Sequence, residues 1–216
     1  MSGALQAVFQ NQRSFGEAFP TVIGQAYGGG FYAGQIGVSS VATHYLVVGP
    51  LSSADSSKQC KNANTAIPGA DSVIDGPQNT ADMVADGSST VYPAAHFCND
   101  LVVGGFSDWY LPAKNEMEIC YYNLKPNTNT NNTGEGINPN AVPARTSNYT
   151  SGDPARTSAA AFISSSGAEA FGLETYWTSS EFSATQVFGP YMVNGTTYSH
   201  NKTNSFRVRA VRRVAV

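Results

Sequence analysis

The chain has 216 residues, of which 41% are hydrophobic and 11% aromatic, enough to bury the core of one sizeable domain. Only 12% are charged, the net charge is −3, and Ser, Thr, Asn and Gly fill the surface instead. That balance excludes nucleic acid as the main ligand, because phosphate binding needs a basic footprint. No apolar run approaches the ~18 residues of a membrane-spanning helix, so no membrane insertion is expected.

The first stretch, MSGALQAVFQNQRSF, has no basic start and no long apolar core, so no secretory signal is expected. Residues 1–40 read as an attachment or oligomerisation arm. Within them VIGQAYGGGFYAGQIGV crowds glycines among aromatics and carries no charge. Such strands lack the alternation that fixes register, and a free linker would not carry Tyr27, Phe31 and Tyr32. The arm would order against another surface; the alternative is an edge strand of the main domain.

From Ala42 the pattern sharpens into a domain spanning 41–216. THYLVVGP reads as a buried strand with a Gly-Pro stop, and a polar connection follows from Ser52 to about Gln78. NTADMV opens a short helix. Pro93 fits the first turn of another, with Ala94, Phe97, Cys98 and Leu101 at helical spacing and Gly104–Gly105 ending it. In GGFSDWYLPAKNEMEICYYNLKP, Pro112 begins a further helix whose inward stripe is Met117, Cys120, Tyr121 and Leu124, and Pro126 stops it. The polar loop from about Asn127 to Asp153 is of a length that is usually functional or disordered. After an Ala-rich helix near Ser158–Ser164 come YWTSSEF, QVFGPYMVNG, TTYSH and SFRVRAVRRV, with a hairpin signal at Asn194-Gly195. The predicted class is α+β: two helices packed on an antiparallel β-meander.

Chemistry is sparse. Cys60, Cys98 and Cys120 show neither CxxC nor zinc spacing and read as small buried hydrophobes in a chain folded in a reducing cytoplasm. His44, His96 and His200 form no HxH or HExxH, so no metal is expected. INPN at 137–140 and SGD at 151–153 lack the carboxylates of a calcium site. No GxSxG accompanies the serine runs. Asp108 and Glu116 suggest an acid/base pair, but acids at a helix start have a routine capping role and no nucleophile accompanies them. No cofactor is expected. Arg207, Arg209, Arg212 and Arg213 alternate with Val208, Val211 and Val214 as a strand would.

Three blocks carry a resemblance. GGFSDWYLPAKNEMEI, then YWTSSEFSATQVF, then FRVRAVRRV resemble the DUF1566 family, also called the Lcl C-terminal domain family, over about residues 40–216. The chain departs from it at Tyr110, where relatives often have Arg, and at Ala210, where they often have Cys. The resemblance implies a C-type-lectin-like architecture, distantly akin to the formylglycine-generating enzymes and to variable proteins of phage retroelements. Those enzymes use a reactive cysteine pair that is missing here, so no catalytic residue is expected. Trp109, Leu111 and Trp177 are the expected structural core of the motif. Ligand contact is expected after YWTSS and along the meander: Glu181, Phe182, Gln186, Tyr191, Asn194, Tyr198, His200, Asn201 and Lys202, which combine aromatic plates with adaptable polar groups.

The function so implied is a bacteriophage virion structural protein, an exposed fibre or tip protein that binds a host-surface glycan or protein without catalysis. The alternative is a capsid or tail decoration or cement protein. Partners would be other virion proteins and further copies of the chain. Trimers are common at fibre tips, though no heptads impose one here. The protein would be made in the host cytoplasm and reside in the virion.

Overall fold

A computed structural model describes residues 18–216. Strands β1 (Ala26–Tyr27), β2 (Gly30–Val38) and β3 (Val41–Val48) run antiparallel at the start of this region. The glycines of this segment serve close approach rather than tethering. Gly28 and Gly29 have φ of 56° and 78°, the pair of positive values that a tight two-residue hairpin turn needs. A Cβ on Gly30 would sit 2.3 Å from the Val48 carbonyl and 3.1 Å from the Trp109 ring. Tyr27 and Tyr32 pack edge-on against Tyr45, with centroids 6.0 and 5.8 Å away, and Phe31 packs on Phe162 at 5.5 Å. The arm expected over 1–40 is therefore corrected: from Ala26 onward it is the first hairpin of the domain. Tyr27, Phe31 and Tyr32 pack within the domain. The remainder of that expectation, over residues 1–17, lies outside the described residues.

The next elements are α1 (Leu51–Ala54), β4 (Asp55–Gln59), α2 (Gly76–Asp86), α3 (Pro93–Asn99) and α4 (Lys114–Leu124). The first two replace the start of the expected polar connection. Helix α2 begins ahead of NTADMV, with Asp75 accepting a hydrogen bond from the Gln78 N–H at 3.2 Å. Helix α3 stops at Asn99, short of the glycine pair. Gly104 and Gly105, at φ 63° and 83°, instead make a tight turn in which Val103 and Phe106 exchange backbone hydrogen bonds of 3.0 and 3.1 Å. Helix α4 buries the predicted stripe of Met117, Cys120, Tyr121 and Leu124.

Beyond it the chain is irregular to a short 3₁₀ turn at Ala160–Phe162. Then follow β5 (Glu181–Ser183), β6 (Gln186–Pro190), β7 (Thr197–Asn201), β8 (Ser205–Arg209) and β9 (Val211–Ala215). Only β5, β6 and β7 form a meander. The last predicted strand divides: β8 pairs with β4 and β9 with β3, giving the central sheet order β1-β2-β3-β9. The change happens at buried Ala210, whose N–H reaches the Ala54 carbonyl while its own carbonyl accepts from the Gly49 N–H, both at 2.9 Å. The result is a mixed fold of helices and antiparallel sheets. The central sheet is covered on both faces, because Val47 points into one hydrophobic cluster with Trp109 and Trp177 while Leu46 and Val48 point into a second with Phe162 and Tyr176.

Candidate binding surface

The charged residues of the motif blocks are occupied with one another. Arg212 grips Asp108 with two hydrogen bonds of 2.7 and 2.8 Å, donates to the Gly28 carbonyl at 3.0 Å, and lies 3.8 Å over the Phe106 ring. Arg213 donates to Glu116 at 2.7 Å. Fully buried Glu116 also accepts from the Tyr110 hydroxyl at 2.5 Å and the Ala113 N–H at 2.7 Å, which caps α4. Burial pushes the Glu116 carboxyl up, against the pull of Arg213. Arg209 is buried against Asp55 and Glu169 and donates to the Gly49 carbonyl at 2.6 Å; Arg207 pairs with Asp55. Asp108 and Glu116 thus tie the DWYLP turn to the terminal strand.

The serines of YWTSSE are used in the same way. The Ser180 hydroxyl donates to the Ser72 carbonyl at 2.7 Å and accepts from the Lys114 N–H at 2.9 Å. Ser179 accepts from Asn79 at 3.2 Å. Trp177 is fully buried and donates its indole N–H to the Lys58 carbonyl at 2.9 Å; Trp109 donates to the Phe106 carbonyl at 3.1 Å, and Leu111 is buried beside them. All three thiols are buried, and burial pushes Cys60 up to about 12 and the other two up as well. Among the described residues no group of His, Cys, Asp and Glu is placed to hold a metal.

The segment from Asn127 is held from inside. The Lys125 ammonium is buried and donates to the Asn129 carbonyl at 2.5 Å, Asn131 Oδ1 at 2.6 Å and the Pro154 carbonyl at 3.2 Å. Glu118 of α4 accepts from Asn138 and from the Tyr149 hydroxyl, both at 2.5 Å, and pairs with Arg145. The segment is pinned to the domain by buried Asn127, Asn131, Asn138 and Tyr149, while the residues between them are largely exposed.

The β5–β7 sheet displays aromatic side chains to solvent. Its outer face brings together Phe182, Phe188, Gln186, Ser199 and Asn201, since Phe188 stands opposite Ser199 and Gln186 opposite Asn201. Phe182 is 54% exposed and meets Phe188 edge-on at 5.1 Å, with the Lys114 ammonium 5.1 Å from the same ring. On the other face Tyr198, 48% exposed, leads to a half-buried His200, which sits 4.5 Å from Phe206 and 6.1 Å from Trp177. Two predicted contact residues are not available. Lys202 is fully buried, donating to the carbonyls of Thr65 and Ala184 at 2.8 Å each and pairing with Glu181 at 3.2 Å, while Glu181 also accepts from the Ile67 N–H at 2.6 Å. These two residues are corrected from ligand contacts to a structural pair, because the chain turns inward after β7 and leaves carbonyls that need a donor. Asn194 is spent on the hairpin turn, accepting from the Thr196 N–H at 3.1 Å, and its carbonyl accepts from the Asn132 N–H at 2.9 Å. Tyr191 stands apart from the outer face, at the edge of a groove with β8. Sequence reasoning missed Phe188 and Lys114; the period-two alternation of QVFGP placed Phe188 beside Gln186, but nothing local connects Lys114 to them.

The family model for the Lcl C-terminal domain matches residues 58–212, and the chain belongs to that family. The match takes in the DWYLP turn, the YWTSSE block and all but the last of the four arginines, so the ties described above lie mostly within it. No curated protein matches the chain.

Proposed function

We propose that this Lcl C-terminal domain protein is a non-catalytic recognition module exposed on a bacteriophage particle, at a fibre or tip, with a C-type-lectin-like arrangement. It contacts a host-surface glycan or protein through the β5–β7 sheet. The observation that carries this reading is solvent-facing Phe182, edge-on to Phe188 and beside Gln186, Ser199 and Asn201, on a sheet whose other face reaches Trp177 and Phe206 through His200. Rigid aromatic area beside amides and hydroxyls provides contact at low entropic cost. The absence of catalysis is supported by the use of Asp108, Glu116, Ser179 and Ser180 in structural ties and by thiols held protonated. The C-type-lectin-like arrangement is supported by the order of elements, with helices between a first hairpin and a last strand that share one sheet.

Binding of the labelled full chain to whole host cells tests the reading. The wild type should bind, and Phe182→Ser should abolish binding while leaving the folded state intact by circular dichroism. A wild-type chain that is incorporated into particles yet binds no cells would replace recognition with decoration.

A further inference from the structure

Beside the sheet, an open groove of about 390 Å³ runs between β8 and the segment Leu173–Thr175, with Tyr191 at its edge. We propose that this groove binds a neutral, hydroxyl-rich ligand of one or two pyranose rings. The proposal rests on the recognition reading above and adds to it a ligand class and a second contact site beside the sheet; of the contact residues predicted from sequence, only Tyr191 lines it.

Size comes first. The groove lies at the small end of ligand pockets, which span roughly 300–1,000 Å³. Charge comes second. The one cation in the lining, Arg207, is already held by Asp55, and Glu174 lies 3.6 Å from its Nε. Asp55 also meets Arg209, so Asp55 and Glu174 together face two guanidiniums and the site favours neither an anionic nor a cationic ligand. Hydrogen-bonding chemistry comes third. At 3.6 Å the Glu174–Arg207 contact is too long for a hydrogen bond, and Arg207 Nε is shut off from solvent without an acceptor, so a ligand reaches it only when Glu174 moves. Glu174 is 62% exposed along its side chain and can swing aside. A neutral ring offering two adjacent hydroxyls suits that pair: one hydroxyl donates to the Glu174 carboxylate and its neighbour accepts from Arg207. Ser57, Thr175 and Ser205 add further polar contacts. Shape comes last. Leu173, 42% exposed, with Tyr191 and Phe206, supplies apolar surface for the C–H face of the ring. A wholly apolar ligand would strip water from Glu174 and Arg207 without replacing it.

The test is an amide NMR titration of the full chain with methyl glycosides of glucose, mannose and galactose, and with N-acetylneuraminic acid as the charged comparator. At least one neutral glycoside at millimolar concentration should shift the amides of Leu173–Thr175, Tyr191 and Ser205–Arg207, and the acid should shift none of them. Glu174→Gln and Tyr191→Ala should each weaken that binding by about tenfold or more, and Val102→Ser, at an exposed position away from the lining, should leave it unchanged. Three results would overturn the proposal: no shift with any neutral glycoside, a stronger response to the acid, or shifts centred on Phe182 and Phe188. Cell binding separates the two claims. Cell binding lost in Phe182→Ser but retained in Glu174→Gln and Tyr191→Ala leaves the recognition reading standing without the groove. Neutral-sugar shifts in a chain that binds no cells leave the groove standing without that reading.

Discussion

Between Asn127 and Thr157 the chain has almost no regular secondary structure, yet it buries Asn127, Asn131 and Asn138 and satisfies them from within. The β5–β7 sheet is the reverse case: its backbone is regular, and its outward side chains are left in solvent. The difference teaches that helices and strands are a poor guide to which part of this molecule is stiff. Stiffness follows from buried polar groups that have found their partners, since opening such a segment exposes every one of them at once. Display follows from having one face of a sheet anchored while Phe182 and Asn201 on the other stay exposed.

The sharpest way to break the contrast is to remove the cation inside the irregular segment. Lys125→Met leaves the Asn129 and Pro154 carbonyls and Asn131 Oδ1 without their buried donor. Urea unfolding should show a loss of about 3 kcal/mol. Next in size is Glu118→Ala, which removes the acceptor for Asn138 and Tyr149 and the partner of Arg145. It should cost about 2 kcal/mol by the same measurement. A smaller effect comes from His200, whose imidazole is held below the ordinary 6.5 by burial. A lowered folded-state value means that the stabilisation is present above 6.5 and is lost as the pH falls from there through the folded-state value. Thermal melts across that range should therefore fall less steeply for His200→Phe than for the wild type. Smallest of all, Phe182→Ser on the outer face of the sheet should change stability by no more than about 0.5 kcal/mol.

Local patterns in the sequence announced much of this frame. The stripe of α4 follows helical spacing, and Trp109, Leu111 and Trp177 are buried as large apolar groups beside turn residues should be. What stayed hidden depends on partners far along the chain. Arg212 and Asp108 are 104 residues apart, and Lys202 meets Thr65 across 137. Strand β4, DSSKQ, has no apolar alternation and exists because β8 pairs with it. The glycines before β3 look like flexibility in one dimension and prove to be clearance for Val48 and Trp109 in three. A run such as NTNTNNTGEG reads as solvent-loving because composition cannot tell a solvated asparagine from one whose amide is consumed inside. The outer face of β5–β7 was half legible: alternation grouped its own residues, but Lys114 arrives from α4.

Amide hydrogen exchange of the native full chain tests the central contrast most directly. The N–H groups of Asn131, Asn138, Tyr149 and Thr157 are bonded to the carbonyls of Ser151, Arg145, Glu135 and Lys125. They should exchange as slowly as Leu46 and Val47 in the centre of the main sheet, opening only with the whole domain. Exchange of those four at the rate of an unprotected chain, with Leu46 and Val47 still protected, would contradict the account.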